Sequence, residues 1–327
     1  MSSTFRFVLG FAAAIACGAH AQQPNAAFDV YAKPGELVAI DANRHLNLRC
    51  SGKGMPAVVL ESGNNADSMT WFKVQPEVAK FTRVCSYDRA GTGFSDGGPL
   101  PRNIDTNADD LAALIRAAHI ATPVVLVGHS YGTNVVRRFA DKHARDVAAL
   151  VLLDPPPQDV GEFSPAFVKA DDARRSQMLA AVRNCEKAAE AGKLDAHLRQ
   201  FKDCLRPPNP QFSASLNAAM HANKLRPAFW RTIISIAETN ADLYKQPVSK
   251  SETHGAIPLL ILQPDAPFED VPPEFRQAME QARRKTQQAI AATSTRGRII
   301  SVEHSSHDVQ LDQPDAVIDA VRAVVRP

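Results

Sequence analysis

The chain has 327 residues, 45% of them apolar and 22% charged, with a formal net charge of +2. That mix belongs to a globular protein and excludes a disordered or fibrous chain. The small net charge, with no block of like sign, argues against a nucleic-acid partner, which would need a concentrated basic face; the richest cluster, Arg283, Arg284 and Lys285, falls in a helix-like stretch beside Glu280.

In chain order, the first feature is an apolar run after Arg6, FVLGFAAAIACGAHA, that ends in Ala19, His20 and Ala21. This three-part pattern predicts a signal peptide over 1–21, cleaved before Gln22, and an exported protein, periplasmic or secreted. Lipid attachment at Cys17 is the alternative, disfavoured because Ala14 stands where such signals carry leucine. No other run approaches the ~18 apolar residues of a membrane span. Without Cys17, the 5 cysteines reduce to Cys50, Cys85, Cys185 and Cys204, an even set in an oxidising compartment, which reads as a disulfide framework of open connectivity. No C-x-x-C pair or finger-type histidine spacing occurs, so no metal is expected.

ELVAI and HLNLRC flank a polar turn at 41–44 and predict an opening hairpin, followed by strands in PAVVLES and FTRVCSY with a short helix over 71–80 between them. Thr106 is placed at the start of a helix, with Asp109 as its capping-box partner and Leu111, Leu114, Ile115 and Ala118 along one face. The strand PVVLVG, the helical stretch NVVRRFADKHA and the strand AALVLLD come next. From Pro155 to about Gly255 there are proline clusters and helical stretches without a convincing strand. Strands return at IPLLIL and GRIISVE, and the chain closes on a helix striped by Ala316, Val317, Ala320, Val321, Val324 and Val325. Continuous Val, Ile and Leu runs alternating with helices predict a mostly parallel sheet covered on both faces, with ligands at the carboxyl ends of its strands and the strandless interval as a lid over that edge.

Gly128, His129, Ser130, Tyr131 and Gly132 lie between a strand and a helix, the context in which G-x-S-x-G forms a nucleophile elbow. The glycines admit a turn too tight for side chains, Ser130 is held exposed, and the following helix aims N–H groups at a forming oxyanion. With this elbow, SYDRAGTGFSD (86–96) and HSSHDVQLDQPDAV (304–317), the chain resembles the α/β-hydrolase superfamily over nearly all of its mature length. In RAGTGFSDGG, Asp96 replaces the third glycine of a nucleotide-binding loop and no Walker lysine follows, so a tight turn is expected.

The resemblance implies an α/β fold with a mostly parallel eight-stranded sheet: core over 22–154, helical lid over 155–254, core again over 255–327. It implies a serine hydrolase of esterase type, with Ser130 as nucleophile and His307 as base, and His304 as runner-up. His129 is expected to face inward as a structural residue. For the acid, Asp154 is preferred and Asp265 is the alternative, because Gln263 and Pro264 replace the glycine usual before the latter, and Glu269 and Asp270 compete in the same loop. The backbone N–H groups of Tyr131 and Asn64 are the expected oxyanion donors. Serine in place of aspartate argues against epoxide hydrolase and dehalogenase chemistry, while amidase, lactonase, peptidase and a non-catalytic binding module of the same fold stay as alternatives. The expected partner is a small acyl compound, with no cofactor and no nucleic acid. Phe212, Met220, Phe229, Trp230 and Ile233 are read as acyl-pocket wall or as lid core. In the resembling fold the strands of Cys50 and Cys85 run side by side, which implies that these two pair and leaves Cys185 with Cys204 inside the lid.

Overall fold

The computed structural model describes residues 26–195, 197–205, 207–269 and 271–326. The expected signal peptide, its cleavage site, Cys17 and Asp270 lie outside these residues. The strands are β1 (Glu36–Ala39), β2 (His45–Ser51), β3 (Val58–Glu61), β4 (Val84–Tyr87), β5 (Val124–His129), β6 (Val147–Leu153), β7 (Leu259–Pro264) and β8 (Gly297–Val302). They form one 8-stranded sheet in the order β1-β2-β4-β3-β5-β6-β7-β8. The opening hairpin joins antiparallel, β2 to β4, and every pair from β4 to β8 is parallel. This is the mostly parallel α/β sheet that the strand pattern implies.

The helices are α1 (Gln75–Val78), α2 (Ile104–Ala117), α3 (Tyr131–Lys142), α4 (Pro165–Glu190), α5 (Ala214–Lys224), α6 (Pro227–Leu243), α7 (Pro273–Ala292), α8 (Val309–Asp312) and α9 (Pro314–Val325). Alternation along the strands feeds two cores. Val59, Leu126, Leu150 and Leu152 pack under α2 and α3 against Leu111, Leu114, Val135 and Phe139. Val58, Val125, Val127 and Val151 face the other way, onto Trp71, Val78, Val317 and Val321. Both faces are therefore dry, which is why the central strands read as unbroken apolar runs rather than as alternations; each such side chain contributes roughly 1.5–3 kcal/mol by leaving water.

Two local expectations are corrected. Helix α2 begins at Ile104, capped by Asn103, whose side chain accepts from Thr106 N–H while the Thr106 hydroxyl accepts from Asn103 N–H. Thr106 is thus the third helical residue of the capping box, and Asp109 binds Lys142 instead of capping. The helix expected over 71–80 splits into a 3-10 turn, Ser68–Trp71, and the single turn α1, because Pro76 cannot donate to a preceding turn.

Between β6 and β7 stand α4, α5 and α6, with no strand among the described residues. They share a small core of Cys185, Ala189, Cys204, Phe229 and Trp230. Cys185 is bonded to Cys204 within this insertion, and Cys50 to Cys85 across β2 and β4, where the two are register partners. Helix α6 is lashed to the loops after β4. Arg102 N–H donates to Ser235 Oγ, and Arg226 to the carbonyls of Gly93 and Ser95.

Candidate active site

The loops after β3, β5, β6 and β8 converge at the carboxyl edge of the sheet, and each carries a non-glycine residue with positive φ: Asn65 at 58°, Ser130 at 50°, Asp154 at 42° and His304 at 57°. Such backbone is unfavourable for residues with a Cβ and concentrates at functional sites. Ser130 sits between β5 and α3, its N–H bonded to the carbonyl of Leu153. The flanking glycines are sterically required: a Cβ on Gly128 would stand 2.8 Å from the carbonyl oxygen of Gly132, and one on Gly132 would stand 2.6 Å from those of Glu61 and Ser62. Tyr131 opens α3, so its N–H has no acceptor within the helix.

His307 follows β8 and directs Nδ1 at Asp154 Oδ2, 2.6 Å away. Asp154 closes β6 and is buried, and its other oxygen accepts from Gln287 Nε2 at 3.2 Å, with Arg283 Nη1 at 3.7 Å. Burial pushes the His307 pKa down, but the hydrogen bond and charge of Asp154, helped by Asp308, outweigh it and leave the ring above its ordinary value of 6.5. With Nδ1 engaged, Nε2 is the remaining proton-transfer position of this ring.

His129 packs beside it, ring centroids 4.8 Å apart. Its Nε2 donates to the carbonyl of His307 at 3.0 Å, so it props the backbone of the His307 loop. Burial, then the neighbouring His307, depresses its pKa to about 3, and it stays neutral. Asp265, in the loop after β7, meets the His307 loop in a different role. It is exposed and accepts from the N–H groups of His304 (2.9 Å) and Ser305 (3.0 Å). His304 and Glu269 are exposed as well. The structure therefore brings His307 to Asp154 and places Asp265 on the backbone that carries His307.

Asn64 follows Gly63 at an exposed turn after β3. Gly63 lies against the elbow: a Cβ there would stand 2.8 Å from His129 Nδ1 and 3.4 Å from Ser130 Cβ. Behind this loop is a cluster that the sequence reading missed. Arg89 and Glu61 form a buried ion pair, Tyr87 donates its hydroxyl to Glu61, and Arg89 also donates to the carbonyls of Ser62 (2.6 Å) and Gly63. A glutamate closing a buried Val-Val-Leu run was the available signal, since such a carboxylate demands a partner.

A cavity of ≈ 490 Å3 opens between this edge and the insertion, lined by Asn65, Asp67 and Met69 below and by Met220, Phe229, Trp230 and Ile233 above. Phe229 and Trp230 serve both the wall and the insertion core. Phe212 instead packs its ring on Phe28, 4.9 Å away. Among the described residues there is no cluster of three or more metal-ligating side chains, and no helix long and apolar enough to cross a membrane.

Comparison with known proteins fits this geometry. The model of a family described as alpha/beta hydrolase matches residues 58–320. A Mycobacterium tuberculosis lipase, LipV, is 30% identical over 164 residues, 47% of this chain and 62% of that protein. A 2-hydroxymuconate semialdehyde hydrolase from a Pseudomonas species is 32% identical over 121 residues, 36% of this chain and 42% of its own. An uncharacterized Bacillus subtilis protein, YqjL, is 32% identical over 120 residues, covering 37% of this chain and 47% of that one. Each match thus spans less than two thirds of the relative. Among solved structures, an esterase from Thermogutta terrifontis superposes with a TM-score of 0.56 at 20% identity, covering 90% of this chain and 98% of that one. The epoxide hydrolase CorEH gives 0.61 at 20% identity, over 88% and 96%. At such identities these two speak for the fold alone.

Proposed function

The chain belongs to the alpha/beta hydrolase family, and from that premise we propose that it is an exported serine hydrolase that cleaves a carboxylic ester or a related acyl compound. The observation that carries this reading is the 2.6 Å pairing of His307 Nδ1 with Asp154 beside a strained serine elbow. Ser130 Oγ attacks the acyl carbonyl while His307 takes its proton, and Asp154 holds the ring in the tautomer that leaves Nε2 free to do so. The N–H groups of Tyr131 and Asn64 receive the oxyanion. As the tetrahedral adduct collapses, His307 returns the proton to the leaving alkoxide. Water, deprotonated by the same ring, then attacks the acyl-serine and releases the acid. Helices α4–α6 act as the lid, and the ≈ 490 Å3 cavity beneath them receives the apolar part of the substrate. Export is supported by the leader pattern of 1–21 and by the two disulfides.

A fluorophosphonate probe tests the nucleophile directly. The wild-type protein is expected to be labelled and to hydrolyse short-chain esters, and Ser130→Ala to do neither. Equal labelling of both proteins removes Ser130 from the role.

A further inference from the structure

Arg89 has no part in the triad, yet it is 3% exposed and touches both sides of the elbow. Its Nη1 donates to Ser62 O at 2.6 Å and to Glu61 Oε1, and its Nη2 to Gly63 O. The same guanidinium lies 5.4 Å from the ring centroid of Tyr131. We propose that Arg89 is a positioning residue for the oxyanion hole, aiming the N–H of Asn64 at the reacting oxygen by holding the carbonyl of Gly63. The proposal rests on the reading of Ser130 as nucleophile.

The geometry follows from the peptide bond itself. The carbonyl of Gly63 and the N–H of Asn64 belong to one planar unit and, when it is trans, point in opposite directions. Drawing the oxygen inward onto a buried cation therefore turns the N–H outward, to the side where Gly63 faces Ser130 Cβ. The cation also polarises the peptide, which strengthens the N–H as a donor. Glu61 supplies the counter-charge and, through Tyr87, is itself held. Stability alone does not call for this arrangement: a buried ion pair roughly cancels its Coulomb gain by desolvation, and apolar replacements of similar volume are often equally stable. What an apolar pair cannot do is fix the direction of two successive carbonyls.

The test compares the wild-type protein with Arg89→Lys, which keeps the charge but cannot span both carbonyls, and with the charge-neutral pair Glu61→Gln/Arg89→Met. Each is assayed by thermal melting, ester hydrolysis and affinity for a trifluoromethyl ketone, whose adduct with Ser130 places an oxyanion in the hole. In the variants that melt as folded proteins, kcat is expected to fall about 10- to 100-fold with KM within about threefold, and the ketone affinity to fall by the same factor as kcat. A folded variant with unchanged kcat, or with a lower kcat and undiminished ketone affinity, overturns the proposal. If the double variant does not fold, Arg89→Lys decides by the same criteria; if neither folds, a structural role has won and the proposal falls. The two readings fail separately. Wild-type protein inert to fluorophosphonate sinks the Ser130 reading and this one with it, whereas labelled wild type beside variants of undiminished ketone affinity sinks only the role of Arg89.

Discussion

At the scale of single residues, the ring of His307 is the group whose environment most directly sets the pH response. Its pKa stands above 6.5 because Asp154 and Asp308 outweigh burial. A base must be neutral to accept the serine proton, so the acid limb of kcat/KM is expected to have its midpoint above pH 6.5. For stability the sign is opposite: a raised histidine pKa contributes fully below 6.5 and is lost as pH rises through the folded value. Asp154→Asn is expected to lower kcat by about 10³- to 10⁴-fold and to bring the His307 titration down in an NMR experiment. Asp265→Asn is expected to retain most activity, because Asp265 holds the N–H groups of His304 and Ser305 rather than the ring. An inactive Asp265→Asn beside an active Asp154→Asn moves the acid to Asp265. Ser130, Asp154 and His307 could be nominated as candidates from the sequence because each follows a recognisable strand or occupies a motif position, and the structure pairs the last two. Arg89 and Glu61 were not, since their roles arise only when residues 28 apart in sequence meet behind the elbow.

At the scale of elements, the buried strands were read closely because a parallel sheet covered on both faces favours apolar residues on both sides of the strand, as in the Val-Val-Leu-Val run of β5 and in Val147–Leu153. Boundaries set by side-chain hydrogen bonds were read less well. Asn103 and Thr106 are both good capping residues, and only the reciprocal bond between them shows which one stands outside the helix. Helix α7 was read only as a helix-like stretch around Arg283, without its extent, for a different reason. Its buried side includes Arg283, Thr286 and Gln287, which serve Asp154 and its surroundings and blur the apolar stripe that marks a helix. Within the insertion, α6 sends Ile236 into the main core, whereas the segment from α4 to α5 is tied by its own small core and staple. Cys185 and Cys204 are 19 residues apart, and closing a loop of that size removes about 3 kcal/mol of denatured-chain freedom. Cys185→Ser/Cys204→Ser is expected to become sensitive to limited proteolysis between α4 and α5 while the sheet still melts cooperatively. Cleavage no faster than in the wild type contradicts this division of labour.

At the scale of the whole molecule, the core and the insertion meet across a polar seam, and polar groups buried there make stability depend on pH. A larger hollow of ≈ 770 Å3, lined by Met55, Pro123 and Pro258, lies at the opposite edge of the sheet, whereas the smaller cavity borders Asn65 and Asp67 in the loop after β3, at the carboxyl edge. Asp67 lines that smaller cavity, and Asp88 lies beside it. Burial first, then the charge of Asp88, raises the Asp67 pKa from 3.8 to about 6. A carboxyl whose folded pKa is raised has the reverse of the usual linkage. Below 3.8 both folded and unfolded chains hold the proton and nothing is lost; between 3.8 and about 6 only the folded chain keeps it, so stability declines with rising pH. Above that window the penalty is complete, at most about 2–3 kcal/mol. Asp67→Asn removes the charge and keeps the side-chain oxygen that accepts from Met69 N–H. Urea titrations are therefore expected to show the variant more stable than wild type at about pH 8, with the gain fading by about pH 4. A gain that does not change with pH, or a loss at the higher pH, shows that Asp67 is ionised and satisfied in the folded protein and that the seam does not carry this penalty.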